Sequence, residues 1–283
     1  MKHAYLILAH DDFSVLSLLV SLLDDPRNDI YIHFDLKVEQ LPDVQVFKSR
    51  LFILSERVKV HWGDVSVIQA EYLLYRSSFK NGPYDYYHLL SAVDLPLKNQ
   101  NYIHDFFSRN TGKQFIGFSN YDYSAELARK VNYYHLFAKS FRESNSIAKR
   151  LVRAAFLRLQ MLIGLKWKSK VVLKKGTQWV SVSHDFIALL LEKQQQVISR
   201  YAHTFCADEI YKQTICWNSK FMDDVYNPLD EAQGSMRAIR WENAEIKAWS
   251  LDDYSRLAES EFLFARKFSS KDTQALNKIT KTL

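Results

Sequence analysis

The order of apolar and polar positions predicts strands that alternate with helices in the first third of the chain. Ala4–Ala9 is a continuous apolar run, typical of a strand that is covered on both faces. Further strands are predicted at Asp29–Phe34, Val58–His61 and Tyr86–Leu90, and helices at Phe13–Leu23, Ser66–Phe79 and Asn101–Arg109. This alternation predicts an α/β fold built on a mostly parallel sheet.

Polar and aromatic residues follow the predicted strands directly. His10, Asp35, Trp62–Asp64 and Ser91–Asp94 all stand at the predicted carboxyl ends. Open parallel sheets bind their ligands at this edge. We therefore expect a ligand site there.

The segment 139–175 differs from the rest of the chain because basic residues greatly outnumber acidic ones. Apolar residues recur at helical spacing through 147–165, which predicts a basic amphipathic helix. Two interpretations stay open. The helix could lie on an anionic membrane with Lys149, Arg150 and Arg153 towards the headgroups. Alternatively, it could pack on the domain and leave a solvated basic face.

Length and composition narrow the class of protein. The 283 residues are enough for one large α/β domain, and the formal net charge of +6 favours an anionic partner. A nucleic-acid partner is not expected, because no recognised binding motif accompanies the charge. Aromatic residues make up 14% of the chain, which is compatible with sugar recognition on ring faces.

The cysteines and the lengths of the apolar runs indicate the cellular compartment in which the protein is expected. The two cysteines, Cys206 and Cys216, favour a reducing compartment over a disulfide scaffold. No stretch approaches the ~20 apolar residues needed to span a bilayer. A cytoplasmic protein is expected, with peripheral contact at the inner face of the membrane as an option.

Six sequence blocks suggest a particular chemistry. In order, they are IYIHFD (Ile30–Asp35), HWGDVSVIQAE (His61–Glu71), YHLLSAVDLPL (Tyr87–Leu97), GTQW (Gly176–Trp179), CADEIYKQT (Cys206–Thr214) and LFARKF (Leu263–Phe268). The adjacent carboxylates Asp208 and Glu209, taken alone, could merely offset a helix dipole. The ordered set resembles the branching glycosyltransferase family that includes the core-2/I-branching N-acetylglucosaminyltransferases and the peptide xylosyltransferases.

The resemblance extends over about residues 3–268 and implies a single GT-A-like α/β domain with a Rossmann-like nucleotide-binding half. Residues 1–110 would bind the nucleotide sugar, 111–244 would form the acceptor side with the catalytic base, and 245–283 would bind the diphosphate. A cytoplasmic bacterial relative that builds surface polysaccharide or lipopolysaccharide fits the lack of an anchor and disulfides.

The implied reaction is an inverting transfer from a UDP-sugar to a glycan hydroxyl, which gives a β-linkage. N-acetylglucosamine, xylose, galactose and glucose all stay open as the sugar, and the acceptor could be lipid-linked. Glu209 is expected to be the general base, although Ala207 stands where the family has proline. Asp208 is expected to orient the loop or a partner side chain.

The resemblance also implies how the leaving UDP is stabilised. The chain contains no Asp-x-Asp motif, so we expect side chains rather than a metal to neutralise the diphosphate. Lys267 matches a family lysine that contacts the diphosphate, with Arg266 beside it. Lys247 is the candidate for a second cation.

The nucleoside is expected to bind the N-terminal half. Ala9 and His10 match positions whose backbone faces the uracil, and Asp35 matches an aspartate that accepts a hydrogen bond from the nucleoside. A core histidine and a capping aspartate are the alternatives.

Two further blocks complete the expected site. Trp62, Gly63 and Asp94 lie in the family's most recognisable sequences, and Asp94 is expected to organise the site through hydrogen bonds. Trp179 and Tyr211 are candidates for an aromatic platform that binds the acceptor sugar. A non-catalytic carbohydrate- or nucleotide-binding protein on a transferase scaffold is the alternative function.

Overall fold

The structure is a computed structural model that describes residues 1–137, 146–166, 171–243 and 245–281. The strands are β1 (His3–Ala9), β2 (Asn28–Phe34), β3 (Arg50–Ile53), β4 (Tyr86–Ser91), β5 (Asp94–Pro96), β6 (Ser181–Ser183), β7 (Arg237–Ile239), β8 (Trp241–Glu242), β9 (Glu245–Ile246) and β10 (Phe264–Arg266). The α-helices are α1 (Phe13–Leu23), α2 (Val65–Asn81), α3 (Gln100–Arg109), α4 (Ser124–Val131), α5 (Ile147–Leu162), α6 (His184–Glu192), α7 (Gln194–Tyr201), α8 (Tyr211–Trp217), α9 (Glu231–Ser235), α10 (Tyr254–Glu259) and α11 (Thr273–Thr280).

The central sheet has the strand order β3-β2-β1-β4-β6. The first four of these strands run parallel, and β6 is antiparallel to β4. A second sheet has the order β5-β10-β7, in which β10 is antiparallel to β5 and parallel to β7. The predicted α/β class, with a mostly parallel, Rossmann-like first half, is confirmed.

Alternate residues of the central strands bury on opposite faces of the sheet. Leu6 of β1 packs in a core with residues of α2, α6 and α8, whereas Ile7 packs in a core with residues of α1, α3 and α11. Both side chains are fully buried. This two-residue period explains why the strand reads as a continuous apolar run.

The predicted third strand is wrong. The strand is Arg50–Ile53, whereas residues 58–61 form a loop. The loop still lies beyond the carboxyl end of β2, because the backbone N–H of Leu36 donates to the Val58 carbonyl (3.0 Å) and that of Val58 to His33 Nε2 (3.0 Å). Isolated hydrogen bonds, rather than the ladder of a β-strand, hold this loop in place.

The predicted basic helix is present as α5, but it does not pack through its apolar face. Its one buried residue is Gln160, Phe156 and Leu157 are half-buried, and its other apolar residues are exposed. The contact of α5 with the domain is therefore limited to a few residues. Among the described residues, no helix is long and apolar enough to cross a membrane.

Candidate functional site

The pairing of β10 with β5 places Arg266 opposite Asp94. The Arg266 guanidinium donates to Asp94 Oδ1 (2.9 Å) and to the Ser91 hydroxyl, and it lies 4.4 Å from the ring centroid of Trp179. Asp94 also accepts from the backbone N–H (2.9 Å) and the hydroxyl (2.7 Å) of Ser91. Asp94 therefore balances the positive charge of Arg266 and holds its side chain in place. Asp94 also makes hydrogen bonds of the kind that the sequence predicts for it.

The chain after β10 crosses the carboxyl edge of the central sheet. The backbone N–H of Phe268 donates to the Val93 carbonyl (2.8 Å), and that of Ser270 donates to Asp12 Oδ2 (2.9 Å). Lys267 is thus held above the ends of β4 and β1, with its side chain partly exposed. It forms no ion pair with any residue in the described part of the chain, so its charge is available to a ligand.

The ends of β1 and β2 are joined to each other. The backbone N–H of Asp35 donates to the Ala9 carbonyl (2.8 Å), and Asp35 Oδ1 accepts from the backbone N–H of Lys37 (2.9 Å). Asp35 therefore caps a turn, whatever else it binds. His10 is exposed, with Nε2 3.3 Å from Asp11 Oδ1, so the alternative of a core histidine is wrong.

The His61–Asp64 loop docks on the segment that precedes Glu209. Gly63 has φ +73°, and a Cβ atom there would lie only 2.4 Å from Phe205 Cε2. The Gly63 carbonyl accepts from the backbone N–H of Cys206 (2.8 Å). Gly63 therefore has a packing reason to be glycine, besides its predicted place in the donor site.

Glu209 ends a short 3₁₀ turn, Ala207–Glu209, that follows Cys206 in the left-handed conformation (φ 51°). Its backbone carbonyl accepts from the N–H of Gly176 (3.0 Å). Lys175 Nζ lies 3.4 Å from Glu209 Oε2, and the two side chains are 22% and 34% exposed. A ligand can therefore reach the carboxylate even though its backbone is fixed.

Lys175 was not identified from the sequence, although it directly precedes the GTQW block. Burial favours its neutral form, but the Glu209 carboxylate, together with Glu126 and Tyr123, raises the pKa of Lys175. Lys175 is therefore a fixed cation beside Glu209. Its position in the sequence, one residue before a motif, was the only signal available.

Two further carboxyl groups lie near Glu209. Asp208 Oδ1 is buried and has no hydrogen-bond partner among the described residues. Burial, with the charges of Glu209 and Glu71, raises the pKa of Asp208 to about 7. Burial and Glu209 likewise raise the pKa of half-buried Glu231, a residue with no motif to mark it. Several carboxyl groups thus lie close together in the site, and the negative charge of one makes it harder for its neighbours to ionise.

A fully buried ion pair connects three of the sequence blocks. Glu71 on α2 accepts from Lys212 Nζ (2.7 Å), from Gln178 Nε2 (2.8 Å) and from the Tyr211 hydroxyl. Lys212 Nζ also donates to the Asp208 carbonyl (3.2 Å). Because breaking a buried pair leaves an uncompensated charge, this network holds the turn before Glu209 firmly. The sequence had given no role to Glu71 or Lys212.

The aromatic platform predicted for the acceptor is largely absent. The prediction for Tyr211 is wrong, because its ring is fully buried and its hydroxyl donates to Glu71. Trp179 is only 6% exposed and lies under the Arg266 guanidinium. Large aromatics here fill the core between motifs. Trp62, by contrast, is 52% exposed.

Lys247 lies close to the crossing segment but is already paired. Its Nζ lies 2.5 Å from Glu245 Oε2, and this hydrogen bond raises the pKa of Lys247. The backbone N–H of Trp249, two residues further on, donates to the Lys267 carbonyl (2.8 Å). Lys247 could serve as the second cation only by exchanging its acidic partner for a ligand.

The GTQW block joins the two halves of the site. Gly176 bonds the backbone of Glu209, and Trp179 supports Arg266. Three residues of extended chain span at most about 11 Å. The turn that carries Glu209 and the basic segment are therefore fixed to one short piece of chain at the edge of a parallel sheet.

The fold and the site define an α/β class of protein that has, at the carboxyl edge of its sheet, an accessible carboxylate, Glu209, and a lysine, Lys267, that forms no ion pair with a described residue. The sequence identifies the family within this class. A model of the family described as "Branch: Core-2/I-Branching enzyme" matches residues 3–263, and the chain belongs to that family. Membership supports glycosyl transfer as the class of activity.

Two further comparisons were made. A search of curated proteins finds no significant sequence match. Among solved structures, the chain is similar to the apo form of mouse xyloside xylosyltransferase 1, with 12% identity and a TM-score of 0.40 over 96% of this chain and 99% of that one. The family assignment does not depend on this similarity.

Proposed function

We propose that the chain transfers a sugar from a UDP-sugar to a glycan hydroxyl with inversion, forming a β-linkage. The observation that carries this proposal is the position of Glu209. Its carboxylate is one-third exposed, its backbone is bonded to Gly176, and Lys175 lies beside it. A fixed but accessible carboxylate is what a general base requires.

In the proposed step, Glu209 accepts the proton of the acceptor hydroxyl while that oxygen attacks the anomeric carbon. The bond from this carbon to the UDP oxygen breaks on the opposite face, so the configuration inverts. The products are the β-glycoside, UDP and a protonated Glu209, which returns its proton to solvent. Lys175 is a cation beside this carboxylate before the step.

The negative charge that develops on UDP needs a cation. Lys267 is the proposed partner of the diphosphate, because no ion pair with a described residue occupies it and the crossing segment holds it at the ends of β4 and β1. Arg266 positions this segment through Asp94. Metal independence belongs to the proposal, with Lys247 as the second cation once it releases Glu245.

The proposed nucleoside site is the adjoining part of the same edge. Ala9 ends β1 and His10 follows it, Asp35 follows β2, and Trp62 lies exposed on the next loop. The proposed acceptor is a glycan, carried on a membrane lipid, in the synthesis of surface polysaccharide or lipopolysaccharide. The exposed face of α5 favours a lipid-carried acceptor.

Calorimetric titration of UDP in excess EDTA, repeated with Mg²⁺ or Mn²⁺, tests the donor site. We expect binding in the micromolar range in EDTA. Lys267→Ala should weaken it at least about tenfold, which is about 1.4 kcal/mol. Lys48→Ala is the matched control, because Lys48 is exposed and precedes β3 at the amino edge of the sheet.

Each other outcome has a definite meaning. Binding that requires metal would overturn the metal-free clamp. Equal affinity in the Lys267→Ala and Lys48→Ala variants would remove Lys267 from the diphosphate site. No binding in any buffer would overturn the UDP donor and favour a protein that binds other ligands.

A further inference from the structure

Helix α5 presents most of its apolar residues to solvent. In a projection down the helix axis at 100° per residue, Ile147 and Ile163 bound an arc of about 160°. This arc contains eight apolar residues and one charged residue, all exposed: Ile147, Ala148, Leu151, Val152, Ala155, Leu159, Leu162, Ile163 and Arg158. The exposed fractions reach 72% for Ile147, 65% for Leu151 and 84% for Leu162. A contiguous apolar surface of this kind marks an interaction site.

The opposite, polar face attaches the helix to the domain. Gln160 is buried, accepts from the backbone N–H of Tyr134 (2.9 Å) and donates to its carbonyl (3.0 Å). Lys149 Nζ lies 5.9 Å from the ring centroid of Phe137. The side of the helix that faces the domain thus carries Lys149, Arg153 and Gln160 beside half-buried Phe156 and Leu157. It is more polar than the side that faces solvent, which is the reverse of a helix that stabilises a globular core.

The charge of the segment indicates the kind of partner. Residues 146–166 contain basic side chains and no acidic one: Lys149, Arg150, Arg153, Arg158 and Lys166. Arg158 lies inside the apolar arc and Arg150 lies about 60° beyond one of its edges, and both are exposed. Their long side chains can extend to a charged surface while the apolar residues lie deeper. An apolar face flanked by cations is complementary to an anionic bilayer.

We propose that α5 docks the protein on an anionic lipid bilayer, with the apolar arc of positions 147–163 buried in the interface. The helix has 16 residues and is about 24 Å long, so it lies in the plane of the membrane. A second copy of the chain is a less favourable partner for this face than an anionic bilayer. Two such faces would bring like charges together, which opposes association.

The docking itself does not require transferase activity. Its meaning for catalysis rests on the proposed function: a glycan carried on a lipid would then reach Glu209 from the membrane side. Vesicle binding and UDP binding are separate measurements. A protein that binds vesicles but not UDP would keep the docking surface and lose the proposed function, and the reverse result would do the opposite.

Flotation with phosphatidylcholine vesicles, with and without about a quarter phosphatidylglycerol, tests the proposal. We expect binding to the anionic vesicles, weakened by raising NaCl from about 0.1 to 0.5 M. The double variant Leu151→Gln/Leu162→Gln should bind at least tenfold more weakly. Both positions are exposed, so its melting temperature should match that of the unmodified protein. Leu229→Gln, at an 85% exposed leucine elsewhere, should bind normally.

Three results would overturn the proposal. The first is no flotation with either vesicle. The second is equal binding by the double variant and the unmodified protein. The third is a dimer in sedimentation velocity that the double variant abolishes, since this would assign the face to a second copy.

Discussion

Asp208 and Glu209 are neighbours in sequence, but their surroundings differ. Glu209 is one-third exposed and faces Lys175, whereas Asp208 Oδ1 is buried without a described partner. The pKa of Asp208 is raised to about 7 by burial and by the charges of Glu209 and Glu71. The folded state therefore binds a proton at Asp208 more tightly than the unfolded chain does.

This difference predicts a pH-dependent stability. Between the ordinary pKa of an aspartate and about pH 7, the folded protein holds more protons at Asp208 than the unfolded chain, so stability falls as pH rises. Asp208→Asn removes this titration. Its stability relative to the unmodified protein should increase with pH by up to about 1.4 kcal/mol per unit, and level off above about pH 7.

Urea unfolding at several pH values measures this trend. Asp208→Ala should show the same slope, because the slope comes from the lost carboxyl group and not from contacts of the new side chain. If the free energies of unfolding of variant and unmodified protein differed by the same amount from about pH 4.5 to 8, the assigned environment of Asp208 would be contradicted.

The candidate residues were predictable where a motif marks them and not where only packing does. Glu209 and Lys267 stand in ordered blocks, so sequence alone singled them out. Lys175 and Glu231 have no motif, and their relation to Glu209 arises from chain segments that meet only in the fold. Tyr211 was misassigned because a sequence does not show whether an aromatic ring near a motif is open or buried.

The contact of the His61–Asp64 loop with the segment before Glu209 is the clearest relation between elements in the site. Gly63 approaches Phe205 so closely that a Cβ atom would lie 2.4 Å from its ring. Its carbonyl also bonds the N–H of Cys206. The loop and the 3₁₀ turn are therefore expected to move as one unit.

Gly63→Ala tests this unit, with Gly112→Ala as the matched control. Both glycines have positive φ, but a Cβ at Gly112 meets nothing within 4 Å. In the control, the free energy of unfolding should fall only by the cost of placing alanine in a left-handed backbone conformation, about 1–2 kcal/mol, and activity should be unchanged. Gly63→Ala should lose at least about 1 kcal/mol more and turn over more slowly. Denaturant unfolding and turnover measure both effects, and equal losses in the two variants would contradict the proposed contact.

The elements with strong periodicity were predicted well. Helix α1 has the predicted bounds, and β1, β2, β4, α2 and α3 begin and end within two residues of the prediction. The third strand was missed because Arg50–Ile53 is short and only partly buried. For α5 the pattern showed which residues share a face. It did not show which face the domain covers, since that depends on Gln160 and Tyr134 meeting in the fold.

At the scale of the whole molecule, three segments of the chain meet at one edge of the sheet. The crossing segment places Lys267 over β4 and β1, the 3₁₀ turn presents Glu209, and GTQW connects them. The net charge of +6 fits an anionic donor and an anionic membrane. We propose that Glu209 is the general base in the transfer of a sugar from its UDP-sugar donor.

The most direct test is turnover of Glu209→Gln. UDP release from UDP-N-acetylglucosamine, UDP-xylose, UDP-galactose and UDP-glucose would be followed with alkyl glycosides as acceptors, beside a UDP titration of each protein. Glu192→Gln, at an exposed glutamate on α6, is the matched control. The account predicts at least about a hundredfold slower transfer by Glu209→Gln, with UDP affinity unchanged and the control normal. Transfer by Glu209→Gln at the rate of the unmodified protein would contradict it.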